Sequence, residues 1–540
     1  MSNPYLTKTN IYVAIFSFLA FTLLVAGVAY WSTRSTNEQT SDGYFLGGRS
    51  LTAPVIAGSL LLTNLSTEQL VGLNGQAYTE GILVMAWETL AAIAMVVTAL
   101  FLLPRYLQGG ISTVPQFLED RYDTTTKTIT SALFLSGYVI VLLPIVLYSG
   151  SLALVTMFDI PSLLNVSHTT SLWICVWGIG IIGSIYAIFG GLKAVAVSDT
   201  INAIGLLIGG LLIPYFGLQH IGGGSAAEGM SLLIREAPEK FNSIGDNDAS
   251  VPFSTIFTGM MLVQLFYWGT NQAIIQRALG AVNLKEGQKG LLLAAFFKIL
   301  GPLIVVLPGI IAFHIFKGQL EIPDQAYPKL VKEVLPIGLL GFFAAVLFGA
   351  ILSSFNSALN SSVTLFGLDI YKEHMNPDAT DAQVVKYGKG FGILLAIMAM
   401  FVAPMIANAP DGLFGYLQEV NGCYSIPILT IIVVGYLTKW VPALAAKVAI
   451  ILGVVLYSIS QFILKPSVFG EENYPHFLHV MAILFVLNVL IMLFIGMLRP
   501  REVAFELPYT KQVDITPYSL VKPIGAAICL IVIGIYIYFA

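Results

Sequence analysis

What most restricts this chain is a succession of apolar runs, each about 20 residues long, the length a helix needs to cross roughly 30 Å of hydrocarbon. Fourteen of them fill nearly the whole sequence, at 10–32, 51–78, 81–103, 129–158, 170–189, 199–219, 253–276, 287–316, 337–368, 386–407, 411–437, 442–464, 475–497 and 518–540. Of the 540 residues 56% are hydrophobic and 10% charged, and the mean hydropathy is +0.83. Water-soluble domains do not carry that much apolar surface. The expected fold is therefore all-α: one polytopic membrane domain over 1–540 with about 14 transmembrane helices.

A nine-residue leader whose only basic residue is Lys8 precedes the first run, which is longer than the core of a signal peptide and reads as a retained helix. Counting Lys and Arg places 18 on the side that holds 33–50, 104–128, 277–286, 369–385 and 498–517, 7 on the opposite side, and Lys298 within a span. The basic-rich side is expected to face the cytoplasm, which puts both termini outside. Cys175, Cys423 and Cys529 lie in apolar runs with no partner at metal-ligand spacing and read as small core residues, so neither a disulfide nor zinc is implied. No Walker-type Gly-Lys-Ser loop and no basic arm is present, which argues against direct ATP drive and nucleic-acid binding. The histidines sit at span ends or in loops, apart from His314 near one end, so a histidine proton relay is not supported.

Polar residues inside the runs carry the functional signal, because an unsatisfied polar group in hydrocarbon is costly unless protein or a water-filled cavity serves it. The run 51–78 is too long for one crossing and contains Asn64-Leu65-Ser66-Thr67-Glu68-Gln69, which suits two half-helices meeting near residues 63–65. Carbonyls freed at such a break are ligands for a cation. The next run carries Glu88 beside Trp87, and the nearest candidate partner in type is Lys298, a lone cation in Ala295-Phe296-Phe297-Lys298-Ile299. Each buried alone is unfavourable by several kcal/mol, so the two pair either directly, as a structural ion pair, or through a ligand.

A second interruption, Gln264-Leu265-Phe266-Tyr267-Trp268-Gly269-Thr270-Asn271-Gln272, ends in Gln276-Arg277. It lies five runs after the first, the spacing of a five-helix inverted repeat whose broken helices face each other at the bilayer midplane. Tyr267 and Trp268 read either as gate and stacking aromatics or as an interfacial belt. In 337–368, Ser353, Asn356 and Asn360 share a helical face, with Ser354, Ser357 and Ser361 beside it. Two readings stand: neutral oxygens for a hard cation such as sodium, or hydroxyls bonded back to carbonyls four residues earlier. Gln418 and Glu419 open another aliphatic run, and Asp199 after Ser198 reads first as a helix cap, second as a residue on a sodium exit path.

Several segments resemble the solute:sodium symporter family, the sodium/glucose cotransporter group, most closely its bacterial sodium/galactose branch. They are Tyr44-Phe45-Leu46-Gly47-Gly48-Arg49-Ser50, the Asn64–Gln69 run, Tyr186-Ala187-Ile188-Phe189-Gly190-Gly191-Leu192-Lys193-Ala194, Tyr267-Trp268-Gly269-Thr270-Asn271-Gln272, Gln276-Arg277 and Asp369-Ile370-Tyr371-Lys372-Glu373. The resemblance implies a leucine-transporter-type core of 5+5 inverted repeats, here 51–219 and 253–437, with an extra helix at 10–32 and further helices over 442–540. It implies that Asn64, Gln69, Glu88, Lys298 and Gln418 bond sugar hydroxyls and that Tyr267 stacks on the sugar as inner gate. It further implies that Ser353 and Ser354 bind Na+ with the carbonyls of Leu62, Leu65 and Ala350. Where that branch has asparagine, serine and tyrosine around the sugar, this chain has Gln264, Ala91 and Trp87, so the solute is not necessarily galactose.

The expected function is sodium-coupled symport of a neutral, galactose- or glucose-like sugar across a bacterial inner membrane. Na+ is the coupling ion, no organic cofactor is involved, and the partners are sugar, sodium and the lipid bilayer. The presumed site offers amides, one carboxylate and one ammonium that nearly cancel, and an aromatic face. A passive sugar facilitator and a sodium symporter for a polyol or amino acid are the alternatives. An enzyme is not expected, since no nucleophile, base and orienter cluster appears on the spans.

Overall fold

Backbone groups in hydrocarbon have no water to bond, so the apolar runs satisfy themselves as helices and break only where other protein groups take over. The computed structural model describes residues 8–33, 40–408, 413–470 and 473–540. The first residues of the leader, part of the loop 33–50 and the start of the run 411–437 lie outside the described residues. Among the described residues the fold is all-helical, with two isolated bridges, Leu51 to Ala281 and Asn283 to Asp514, as its only extended pairings.

Every one of the fourteen runs contains helix. By length and composition, however, ten of the described helices are fit to cross a membrane, or eleven when Leu284–Leu300 and Pro302–Phe316, bent by 43°, count as one. The shortfall has a physical origin. The run 51–78 breaks after Ala53–Asn64, which is too short to cross alone, while Thr67–Glu80 runs on within Thr67–Gly109; the run 253–276 divides into Gly259–Gly269 and Gln272–Leu279, each too short to cross, and the apolar part of the first helix, Phe16–Ser32, is short as well.

The Tyr186–Ala194 motif marks the reversal between two spans, His168–Ile188 and Gly191–Ile221. Gly191 has φ +59°, a conformation that favours glycine, and its α-carbon faces the Tyr44 carbonyl, so a Cβ there would crowd it at 3.2 Å. Tyr44 fastens the turn by donating its hydroxyl to the Ile188 carbonyl at 2.9 Å. The chain from Gly191 packs closely on Ala53–Asn64, with Gly58 against Thr200, and also on Ile337–Thr364.

One helix, Thr124–Phe158, holds both breaks. Ser149 donates to Thr67 Oγ1 at the first (3.2 Å). Tyr138 donates to Asn271 Oδ1 (2.8 Å) and accepts from the Ala273 amide (2.9 Å) at the second. On the basic-rich side, Thr113 donates to buried Asp369 while the adjacent Val114 amide donates to Gln272 Oε1 at 2.8 Å, so a short loop ties the second broken helix to the end of the 337–364 helix. On the other side Lys240 donates to the Tyr78 carbonyl at 3.3 Å, a cation at a helix C-terminus. Its burial there pulls the ammonium below the ordinary lysine range. Large apolar side chains such as Ile181, Ile185, Leu490 and Phe494 face outward, as lipid contact requires.

Candidate functional site

The first half-helix ends at Asn64, where the backbone leaves helical geometry at Leu65 (ψ 59°) and Ser66 (ψ −178°). The Ser66 amide turns to the Asn64 carbonyl at 2.8 Å, which deprives the Leu62 carbonyl of its normal donor four residues on. The Thr63 carbonyl instead accepts from Ser354 Oγ at 2.9 Å. Thr63 Oγ1 lies 3.1 Å from Ser357 Oγ and 3.4 Å from Ser353 Oγ. Leu62, Leu65, Ala350, Ser353 and Ser354 are all buried where the break meets the 337–364 helix. Ser357 and Ser362 bond back to carbonyls four residues earlier. Ser354 does not, and its hydroxyl crosses to the break.

Asp199 corrects an expectation. It does not cap a helix: the segment begins at Gly191, and Asp199 is two turns in, 1% exposed, accepting from Ser59 Oγ at 2.7 Å. Ser59 in turn accepts from Arg277 Nε at 3.2 Å, and Arg277, fully buried, also donates to Ser357 Oγ and the Ala273 carbonyl. The close approach at Gly58 is what brings Ser59 to Asp199. A cavity of about 120 Å³ lies beside this cluster, lined among others by Thr22 of the first helix, Asp199, Ser353 and Asn356.

The second locus gathers at the adjacent residue, Asn64. Lys298 Nζ is 2.5 Å from Glu88 Oε2, both side chains fully buried, and also donates to Asn64 Oδ1. The ammonium lies 5.6 Å from the centre of the Trp268 ring, a cation–π contact. Trp268 donates Nε1 to Gln264 Oε1 at 3.1 Å, and Gln264 Nε2 donates to the Trp87 carbonyl at 2.9 Å. Both ends of the Gln264 amide hold aromatic residues in place, each with capacity for one further hydrogen bond. Tyr267 is half-buried, 5.2 Å from Trp268 ring to ring, with its hydroxyl toward Asn64. Gln69 is buried and its Oε1 has no hydrogen-bond partner among the described residues. Gln418 is half-buried on Leu413–Leu437 and makes no hydrogen bond among the described residues.

The residues named from the sequence therefore form two adjoining groups around one break: oxygens alone at 62–65 and 350–354, and a charged, amide and aromatic group around Asn64, Glu88, Lys298 and Trp268. Ser59 was missed as a member. Thr63 had been named only as the edge of the break, Ser357 only as one of several hydroxyls beside the serine face, and Arg277 only as a charge at the end of the second interruption. The balance of one carboxylate against one ammonium also needs correction, since Glu68 is buried and in no ion pair among the described residues. Neutral and anionic oxygens at the first group suit a small hard cation; the second group suits hydroxyls.

An uncharacterized symporter, YidK, of Escherichia coli (strain K12) is 48% identical over 522 residues, covering 97% of this chain and 90% of that protein. A sodium/glucose cotransporter of Vibrio parahaemolyticus is 32% identical over 497 residues, 88% of this chain and 89% of its own. A solved sodium-coupled sialic acid symporter, in a substrate-bound outward-open state, superposes with a TM-score of 0.76 at 18% identity, over 91% of this chain and 99% of that one. That likeness shows a leucine-transporter-type fold. Residues 44–453 match the family described as sodium:solute symporter, so the chain, a transporter and not an enzyme, belongs to the sodium:solute symporter family.

Proposed function

We propose that this symporter uses sodium to import a neutral polyhydroxylated solute, a galactose- or glucose-like sugar, by alternating access. The observation that carries the reading is the Asn64–Lys298–Glu88 group over the Trp268 ring, two residues from the opened carbonyl of Leu62. Sodium takes the carbonyls of Leu62, Leu65 and Ala350 and the hydroxyls of Ser353 and Ser354. The solute takes Asn64, Gln69, Glu88, Gln264, Lys298 and Gln418, with Tyr267 and Trp268 as its gate. Asp199, beside a cavity that reaches Ser353, is the sodium exit. The printed name of the Vibrio relative, a sodium/glucose cotransporter, supports a sugar. The repeats run over 51–219 and 253–437, and the chain sits in a bacterial inner membrane with both termini outside.

Coupling follows from the shared break. Sodium that orders residues 62–65 also orders Asn64, so it favours the state with the better solute site. One sodium falling through about 100 mV supplies about 2.3 kcal/mol, and a tenfold gradient about 1.4 more. Together these sustain several-hundred-fold accumulation. Counterflow and uptake in proteoliposomes, with a panel of hexoses, cyclitols and amino acids in sodium or choline, test the reading. Sodium-driven concentration of a hexose is the expected result. Uptake that equilibrates without concentrating, or that is the same in choline, rejects coupling, and preference for an amino acid rejects the sugar.

A further inference from the structure

Between the spans His168–Ile188 and Asp381–Ile406 lies a groove of about 240 Å³ that shares no residue with the groups around the first break. Ile181, Ile185 and Ile188 form one wall, and Ile393, Ile397 and Met400 the other. Ser184 turns its hydroxyl to its own Gly180 carbonyl at 2.5 Å, so the lining offers almost only hydrocarbon. Ile181, Ile185, Ile393 and Ile397 are 40–57% exposed, which leaves the groove open to the bilayer. At one end the Met400 thioether packs on Gly180; at the other Gly392 approaches Ile188, just before the chain turns at Gly191.

An apolar tail gains little by exchanging one hydrocarbon surface for another, so what selects a particular lipid here acts at its headgroup. Positive charge gathers at the Ile188 end. On the helix that starts at Asp381, Lys389 lies one turn before Ile393 and Lys386 about one turn before that, on the face that lines the groove. The Lys389 ammonium lies 4.6 Å from the centre of the Tyr44 ring, and Tyr44 donates to the Ile188 carbonyl, which places this cation at the mouth of the groove. Lys193 follows the Gly191 turn with its Cβ against Gly47, in the same segment as Tyr44. Lys193 and Lys386 are in no ion pair among the described residues. The nearby Asp381 carboxylate is shared between the Ser41 amide and Lys372. Tyr387, 51% exposed and stacked on Tyr371 at 4.6 Å, sits beside these lysines and marks the height of the membrane–water interface.

We propose that this groove binds an anionic glycerophospholipid of the leaflet on the basic-rich side, with one acyl chain between the isoleucine walls and the phosphate among Lys193, Lys386 and Lys389. Three lysines at one polar–apolar boundary complement a lipid phosphate, whereas a zwitterionic headgroup brings a further cation among them. The bound phosphate joins the helix from Asp381 to the turn at Gly191. It thereby braces the start of the Gly191–Ile221 span, the one that carries Asp199.

The test uses the full chain purified in detergent, with phosphatidylglycerol and phosphatidylcholine of identical acyl chains as probes, read by native mass spectrometry and by the melting midpoint. Wild type is expected to retain phosphatidylglycerol in preference to phosphatidylcholine and to melt at a higher temperature in its presence. The preference is expected to fall about fivefold for each of Lys193→Gln, Lys386→Gln and Lys389→Gln, and to survive arginine at all three positions. Lys511→Gln, at an exposed lysine of the same side outside the groove, is expected to leave it unchanged. Ile393→Trp fills the groove with the lysines intact and is expected to lower retention of phosphatidylglycerol. A wild type without preference between the two lipids overturns the proposal. So does an equal loss in Lys511→Gln, which makes the attraction one of overall charge, or full retention in Ile393→Trp.

Discussion

Lys298 Nζ and Glu88 Oε2 lie 2.5 Å apart with side chains 0% and 1% exposed, and Asn64 shares the ammonium. The three come from three separate spans, so the pair staples the first break to two neighbouring helices. Removing one partner of a buried pair strands the other charge, which destabilises by about 3–5 kcal/mol. Glu88→Gln is expected to lower the melting midpoint in detergent and to abolish uptake. Glu88→Gln combined with Lys298→Met is expected to recover stability without recovering uptake, since no charge is left stranded. A single variant as stable as wild type counts against compensation by this pair.

Ser354 donates across the break to the Thr63 carbonyl at 2.9 Å, next to the opened Leu62 carbonyl. Ser354→Ala removes both this tether and one proposed sodium ligand. The expected outcome is a rise of about tenfold in the sodium half-saturation of uptake, equivalent to about 1.4 kcal/mol. Unchanged sodium dependence rules the hydroxyl out as a ligand.

Arg121 serves three carbonyls of one turn: Nε to Gly435 (2.9 Å), Nη1 to Val441 and Nη2 to Thr438 (both 3.0 Å). A single ammonium cannot reproduce that fork. Arg121→Lys is expected to lose about 2–3 kcal/mol of stability through unserved buried carbonyls, read as a lower denaturation midpoint, while KM for solute stays at the wild-type value. A changed KM at unchanged stability reverses the assignment.

His476 precedes the helix Phe477–Leu498 and accepts from the Leu478 amide through Nδ1 at 3.3 Å. Burial, with His479 and Lys465 adding repulsion, pulls its pKa from 6.5 down to about 4. Between those values the folded chain binds fewer protons than the unfolded one, so stability falls as pH drops through the window. The full shift corresponds to roughly 3 kcal/mol at the acid end. His476→Asn retains a cap acceptor without the titration and is expected to flatten this part of the midpoint-against-pH curve; parallel curves for the two proteins reject the assignment.

The composition of the runs made the membrane setting and the helical class legible, because about 20 apolar residues in succession have few other stable fates. Polar residues stood out for the same reason, which is why the breaks at 64–69 and 264–272 and the charges at Glu88 and Lys298 were found. Neighbours of ordinary type gave less: Ser59 carried no local mark, and nothing local shows that Ser357, one of several hydroxyls on its helix, both bonds its own backbone and accepts from Arg277.

Asp199 and Gln264 show where local reading stops. An acid near the start of an apolar run looks like a cap, yet the helix begins eight residues earlier at Gly191, where a left-handed glycine turns the chain, and close packing at Gly58 delivers Ser59 to the carboxylate. A glutamine among aromatics gives no sign of which aromatics it holds, yet its amide joins the Trp268 indole to the Trp87 carbonyl. The sequence by itself determined that polar groups must be satisfied within this membrane-embedded chain. The tertiary structure alone decided which group satisfies which, because pairs such as Lys298 and Glu88, 210 residues apart, meet only through helix packing.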